Sequence, residues 1–126
     1  MCGIAGIFDC EQHEQSLSIL GERLLSHLEH RGPDGSGLVN EQLPSGKRIL
    51  LAHTRLSIND LSSSGSQPMW DAKRQVCIVF NGEIYNFREK MSELRSLGHN
   101  FKSKSDTEVL LNAYLEWGVD CFSHFV

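Results

Sequence analysis

Cys2-Gly3-Ile4-Ala5-Gly6-Ile7-Phe8 is an apolar run interrupted only by glycine. It is too short for a typical helix and reads as a strand buried on both faces. Gly3 and Gly6 weaken it as a strand but let another backbone come close. Downstream, from about Gln15 to His30, Leu17, Leu20, Leu24 and Leu28 fall on one helical face. Arg31-Gly32-Pro33-Asp34-Gly35 stops that helix through its Gly and Pro content. Two strands follow, around Gly37 to Glu41 and Arg48 to Ala52, with Leu43-Pro44-Ser45-Gly46 between them as a hairpin loop.

Residues 54 to 71 read as an irregular loop centred on Ser62-Ser63-Ser64-Gly65-Ser66-Gln67-Pro68. A loop of that length inside a compact domain is more often functional than idle. Gln75 to Asn81 is the clearest strand, and Gly82-Glu83-Ile84-Tyr85-Asn86 follows it. A helix from about Phe87 to Leu97 buries Met91 and Leu94 and ends at Gly98. Ser105-Asp106-Thr107-Glu108 is a capping box, a Ser N-cap with Glu three residues on. It opens a helix through Val109, Leu110, Ala113 and Tyr114 that stops at Gly118. Strands and helices mix without strict βαβ alternation, so the expected class is α+β with antiparallel pairing. No repeat, low-complexity tract or linker divides the chain. It closes on Cys121-Phe122-Ser123-His124-Phe125-Val126, an apolar run with no polar tail. A natural domain seldom stops in such a run, so the chain is expected to be truncated.

Composition narrows the function classes. The 126 residues, 40% hydrophobic and 22% charged, are those of an ordinary globular domain. Twelve basic against sixteen acidic residues give a net charge of −4, which argues against a basic nucleic-acid-binding domain. No apolar stretch approaches the roughly 20 residues of a membrane span. No basic segment followed by an apolar one marks a secretory signal. A soluble, cytoplasmic protein is the expectation. The four cysteines, Cys2, Cys10, Cys77 and Cys121, have wide, irregular gaps and no C-x-x-C pair, so neither a zinc site nor a disulfide framework is indicated. Cys77 in Val76-Cys77-Ile78-Val79-Phe80 reads as an inert core residue, and Cys121 as packing. His27 and His30 stand three apart without a third ligand nearby, and no metal is assigned.

Cys2 stands apart. If Met1 is removed, one residue carries both a thiol and a free α-amine. The thiolate is the nucleophile, and an N-terminal amine can act as base for its own side chain. The plainer reading is a small buried residue at a strand start. Asn81-Gly82 offers a side-chain amide and an unobstructed backbone N–H, the donors an oxyanion needs, but is equally an ordinary Asn-Gly turn. Arg55 can clamp a carboxylate with two parallel hydrogen bonds or be a solvated surface residue. Asp106 sits where an acid favours the helix dipole, and can instead hold an ammonium. Arg31 and Asp34 read as turn chemistry, with Arg31 tying the turn to neighbouring carbonyls.

Taken together, six segments resemble one family in order and register. They are Met1-Cys2-Gly3-Ile4-Ala5-Gly6, His30-Arg31-Gly32-Pro33-Asp34-Gly35, His53-Thr54-Arg55-Leu56-Ser57-Ile58, Gln67-Pro68-Met69, Asn81-Gly82-Glu83-Ile84-Tyr85-Asn86 and Ser105-Asp106-Thr107-Glu108. Residues 1 to about 118 are similar to the N-terminal glutaminase domain of glutamine-hydrolysing asparagine synthetases. Those domains are class II glutamine amidotransferases of the N-terminal nucleophile hydrolase type. Leu56 points within the class, because the phosphosugar and purine-pathway relatives usually carry an aromatic residue there.

The resemblance implies a four-layer α/β/β/α sandwich, incomplete at the C-terminus, with residues 1–126 as the N-terminal part of the amidotransferase domain. It implies hydrolysis of glutamine to glutamate and ammonia. Cys2 would be the nucleophile and its α-amine the base, with Asn81 and the Gly82 N–H as oxyanion hole. Arg55 would take the α-carboxylate, the backbone of Leu56, Ser57, Ile58 and Asn59 would line the pocket, and Asp106 helped by Glu83 would take the α-ammonium. No metal or cofactor is implied for this half-reaction. ATP and Mg belong to an absent synthetase domain or subunit that receives the ammonia, and a homodimer stays open. The alternatives are the glutaminase module of a polysaccharide or secondary-metabolite amidotransferase, and an inactive glutamine-binding fragment.

Overall fold

The computed structural model describes residues 1–10, 13–57 and 63–126. They form two compact units that interleave along the chain, so no single linker separates them. The first holds Met1–Ser57, Ser66–Pro68 and Val79–Asn81, and the second holds Ser63–Gly65, Met69–Ile78 and Gly82–Val126.

In the first unit β1 (Gly3–Cys10), β2 (Gly35–Gln42) and β3 (Arg48–Arg55) make a three-stranded antiparallel sheet in the order β1-β3-β2. Gly3 pairs with Thr54 and Ile7 with Leu50, while Leu38 of β2 pairs with Ala52. Helix α1 (Glu14–Leu28) packs on the sheet. Its Leu17 and Leu25 form a core with Leu50 and Ala52, against which Ala5, Ile7, Leu24 and Leu38 pack. Strand residues alternate between faces, so Ile4 and Phe8 point the other way and are 44% and 66% exposed. The expectation of a strand buried on both faces is therefore corrected: β1 buries one face, as a strand of an antiparallel sheet commonly does.

The buried stripe of α1 also differs from the expected Leu17, Leu20, Leu24, Leu28. It runs through Leu17, Gly21 and Leu25. A Cβ at Gly21 would lie 2.6 Å from Leu38 Cδ1 and 3.0 Å from Leu50 Cδ1, so two core leucines fill its place. Strand β3 continues past the expected Ala52 to Arg55, turning His53, Thr54 and Arg55 into ladder residues. The irregular loop consequently starts later than residue 54, and its residues 58–62 lie outside the described ones.

In the second unit β4 (Met69–Trp70) pairs with β5 (Cys77–Ile78). The expected strand from Gln75 to Asn81 is thus reduced to two residues, and the reason is visible for its first two positions. The Asp71 carboxylate accepts from the backbone N–H groups of Lys73, Gln75 and Val76, which diverts them to a tight turn. Helices α2 (Phe87–Ser96) and α3 (Asp106–Trp117) pack together. Met91 and Leu94 are buried as expected, and Gly98, at φ +99°, follows the end of α2. Ser105 caps α3 by accepting from the Glu108 N–H at 3.2 Å. The other half of the expected box differs. Glu108 turns its carboxylate to the N–H groups of Lys102 and Ser103 at 2.9 and 2.7 Å rather than back to Ser105. A 3₁₀ segment spans Gly118–His124, and the final residue is tied down: Tyr85 N–H donates to Val126 O at 2.8 Å, and Val126 N–H to Asn86 Oδ1 at 3.1 Å.

Gly37 is the glycine with most consequence. A Cβ there would overlap the backbone oxygen of Gln67 and lie 2.9 Å from Pro68 Cδ. The segment Ser66–Pro68 can cross β2 only because that side chain is missing. Gly37→Ala should destabilise the protein by about 1–3 kcal/mol through forced backbone displacement, measured by urea denaturation. An unchanged midpoint would mean that the crossing is not tight.

Candidate functional site

The β1–β3 register places Cys2 beside the residue that follows β3. Leu56 N–H points at Cys2 Sγ at 3.3 Å, and the thiol lies 3.7 Å from Leu56 O. Arg31 Nε donates to Cys2 O at 3.1 Å. The expected carbonyl-tying role of Arg31 is therefore observed, and its target is the backbone of Cys2. Asp34 holds the other side: its N–H donates to Arg55 O at 2.9 Å, and its carboxylate accepts from Ser57 N–H at 2.8 Å. The turn between α1 and β2 thus braces residues 55–57 from one end and Cys2 from the other. Cys2 itself is half-buried, and Met1 before it is 76% exposed.

Of the other sequence-predicted residues, Arg55, Leu56 and Ser57 are half-buried in the first unit, and Asn81 is exposed there. The backbone just before Asn81 is fixed by Phe80 N–H donating to Gln67 Oε1 at 2.6 Å. Gly82, Glu83 and Asp106 belong to the second unit. Gly82 and Glu83 are exposed, while Asp106 is buried in the first turn of α3 and accepts from Ile84 N–H at 3.2 Å. Burial pushes the Asp106 carboxyl up. The backbone N–H groups of Ile84 and Thr107 work against that shift, and the charge of Glu83 adds to it. Ile58 and Asn59 lie outside the described residues.

His53 and Gln67 belong to segments singled out in the sequence but carried no assigned role. His53 is wholly buried. Neither ring nitrogen meets hydrogen-bond geometry with any described residue, although the Phe80 backbone lies close enough to favour the charged ring. Burial dominates and pulls its pKa from 6.5 down to about 4, with Arg55 adding to the effect. Cys77 is half-buried rather than an inert core residue. It sits with Ile78, Leu110 and Phe122 around a groove of about 410 Å³. Cys121 is buried as expected, and burial pushes its thiol up. Cys2, Cys77 and Cys121 form no disulfide. No helix among the described residues is long and apolar enough to cross a membrane.

A glutamine amidotransferase domain family matches residues 1–126, and the chain belongs to that family. Among its relatives is asparagine synthetase [glutamine-hydrolyzing] 3 of Bacillus subtilis (strain 168), 38% identical over 126 residues, covering 98% of this chain and 20% of the relative. Asparagine synthetase [glutamine-hydrolyzing] 1 of Arabidopsis thaliana is 38% identical over 120 residues, covering 95% and 19%. The asparagine synthetase [glutamine-hydrolyzing] of Sandersonia aurantiaca is 37% identical over 126 residues, covering 100% and 22%. The chain spans about a fifth of the length of these relatives.

His53 generates a pH dependence with a definite sign. Its folded pKa lies below the unfolded one, so on acidification the unfolded chain takes up a proton that the folded chain refuses. Its effect is absent above about pH 6.5; stability is then lost down to about pH 4 and levels off. The loss should total about 3 kcal/mol. Asp106, shifted up, contributes with the opposite sign, so the check is a difference: urea midpoints of wild type and His53→Leu across that window. The variant should show the shallower acid loss, and parallel curves would refute the assignment.

Proposed function

We propose that the chain hydrolyses glutamine to glutamate and ammonia through Cys2. With Met1 removed, the α-amine takes the thiol proton and sulfur attacks the carboxamide carbon. The carbonyl electrons move to oxygen, to which the Asn81 amide and the Gly82 N–H donate in this reading. Collapse breaks the C–N bond, and ammonia leaves with the proton from the α-ammonium. Water then cleaves the glutamyl thioester. The observation that carries this reading is the setting of Cys2, in a chain of the amidotransferase family. Its sulfur meets the Leu56 N–H, which supports negative charge developing there, and its carbonyl is held by Arg31.

The remaining roles follow from the chemistry of glutamine. Arg55 takes the α-carboxylate, and the backbone from Leu56 to Asn59 lines the pocket. Asp106 with Glu83 takes the α-ammonium. A carboxyl whose ionised form is penalised by burial and by Glu83 gains strongly when a cation arrives. The ammonia feeds an ATP-dependent amidation of the kind the relatives' names describe, in a synthetase domain or subunit of a cytoplasmic protein. ATP and Mg serve that step. The finer fold we propose is the four-layer α/β/β/α sandwich of the N-terminal nucleophile hydrolase type.

Intact mass spectrometry with an electrophilic glutamine analogue tests the reading. One adduct is expected on chain lacking Met1, and none on Cys2→Ala or on chain retaining Met1. Correctly processed chain without an adduct would overturn it. Arg55→Ala should raise KM roughly 10- to 100-fold, the scale of a charged hydrogen bond, with kcat little changed because the clamp acts alike on substrate and transition state. A fall in kcat at constant KM would remove Arg55 from that role.

A further inference from the structure

His53 has no assigned role, yet it is fully buried, and neither ring nitrogen meets hydrogen-bond geometry among the described residues, an arrangement that calls for an explanation. Its surroundings in the first unit supply one. On β2 its partner is Gly37, and the Cβ position of Gly37 is occupied by the Gln67 backbone oxygen. The side-chain oxygen of Gln67 holds the Phe80 N–H at 2.6 Å. The Phe80 backbone in turn lies against the His53 ring. Residues 66–68 and 79–81 therefore cross the sheet as a joined pair, over the space left by Gly37 and against the ring of His53. Asn81 is the next residue after Phe80.

We propose that His53 is a positioning residue for Asn81: its ring is the spacer that sets where the Phe80–Asn81 backbone crosses the sheet. The function of this placement rests on the glutaminase reading, in which Asn81 supplies an oxyanion donor. Neither ring nitrogen meets full hydrogen-bond geometry among the described residues, so the ring acts mainly through its volume, with the Phe80 backbone approaching it closely. Replacing it with a side chain of similar volume should preserve the placement, and removing it should not.

Two measurements test this. Hydrogen exchange needs no activity: His53→Ala should speed exchange of the Phe80 N–H tenfold or more while leaving the Leu51 and Ala52 ladder amides unchanged. His53→Leu should restore near-wild-type exchange. Equal Phe80 rates in wild type and His53→Ala would overturn the proposal, as would loss of protection across the whole ladder. The second measurement is a kinetic cycle with Asn81→Ala. Alone, His53→Ala should lower kcat about tenfold at nearly constant KM, and Asn81→Ala about a hundredfold, the scale of one lost oxyanion donor. Combined, they should match Asn81→Ala within about twofold, because the spacer acts only through that amide. Multiplicative losses would overturn it. If His53→Ala does not fold, His53→Leu is compared with His53→Val, whose smaller side chain should give the faster Phe80 exchange; identical rates would overturn the spacer role. Wild type that neither turns over glutamine nor forms a Cys2 adduct would overturn the glutaminase reading, while the exchange data would still decide the role of His53.

Discussion

The register of β1 on β3 is the constraint on which the candidate site depends. A slip of one residue would turn every side chain of β1 to the opposite face. The observed register sets Gly3 against Thr54, at a point where no side chain fits: a Cβ on Gly3 would lie 2.5 Å from Thr54 Oγ1 and 2.9 Å from Leu28 Cβ. Thr54 Oγ1 itself donates to Leu28 O at 2.9 Å, so the end of α1 is bound into the same junction. One residue back from this junction lies Cys2, and two residues beyond Thr54 lies Leu56. The contact between the sulfur and the Leu56 N–H is thus a direct outcome of strand pairing, and Arg31 reaches the Cys2 carbonyl from the turn that α1 leads into.

Buried acids in this chain have opposite fates, and the difference separates scaffold from site. Asp71 and Asp106 are both buried, 8% and 7% exposed. Backbone N–H groups, Val76 first, outweigh burial at Asp71 and hold its carboxyl below the usual range. At Asp106 burial outweighs the backbone donors and holds the carboxyl above it. Asp71 has its hydrogen bonds filled by its own turn, and its work is done once the turn forms. Asp106 keeps an electrostatic deficit next to a second acid, Glu83, which a proton or a neighbouring cation relieves. That asymmetry separates an acid whose turn satisfies it from one that remains penalised, although sequence position alone marks both simply as acids.

Much of this was legible in the sequence where local chemistry decides the outcome. The Ser105 cap, the Met91 and Leu94 face, Gly98 and Gly118 follow from rules acting over a few residues. The α+β class and antiparallel pairing follow from the order of patterns. The misses are tertiary. Nothing near Gly21 says that Leu38 and Leu50 occupy its Cβ position, so the spacing of leucines alone does not find the buried stripe of α1. Nothing in the apolar run after Gln75 says that the Asp71 carboxylate takes the Gln75 and Val76 N–H groups and shortens the strand at its start. The site was legible as a set of residue types in order. The sequence around Arg31 points to a tie to carbonyls but not to Cys2 as its target, and the parts of His53 and Gln67 depend on a segment crossing the sheet, which no local pattern signals.

The site residues of the first unit are consequently held by two different means. Cys2 stands at the end of a continuous ladder, whose hydrogen bonds form cooperatively and hold it as long as the sheet exists. Asn81 has no such support: β5 ends at Ile78, and the nearest fixed point is the Phe80 N–H on a glutamine side chain. A side chain holds a backbone less firmly than a ladder does, because its own rotamers must be locked by packing. Here the lock is the crowded space over Gly37. Under the proposed reading the nucleophile sits at the end of the ladder and the oxyanion donor on the crossing segment. An oxyanion donor works only if it is preorganised, so the packing over Gly37 has to hold Asn81 in place much as the ladder holds Cys2.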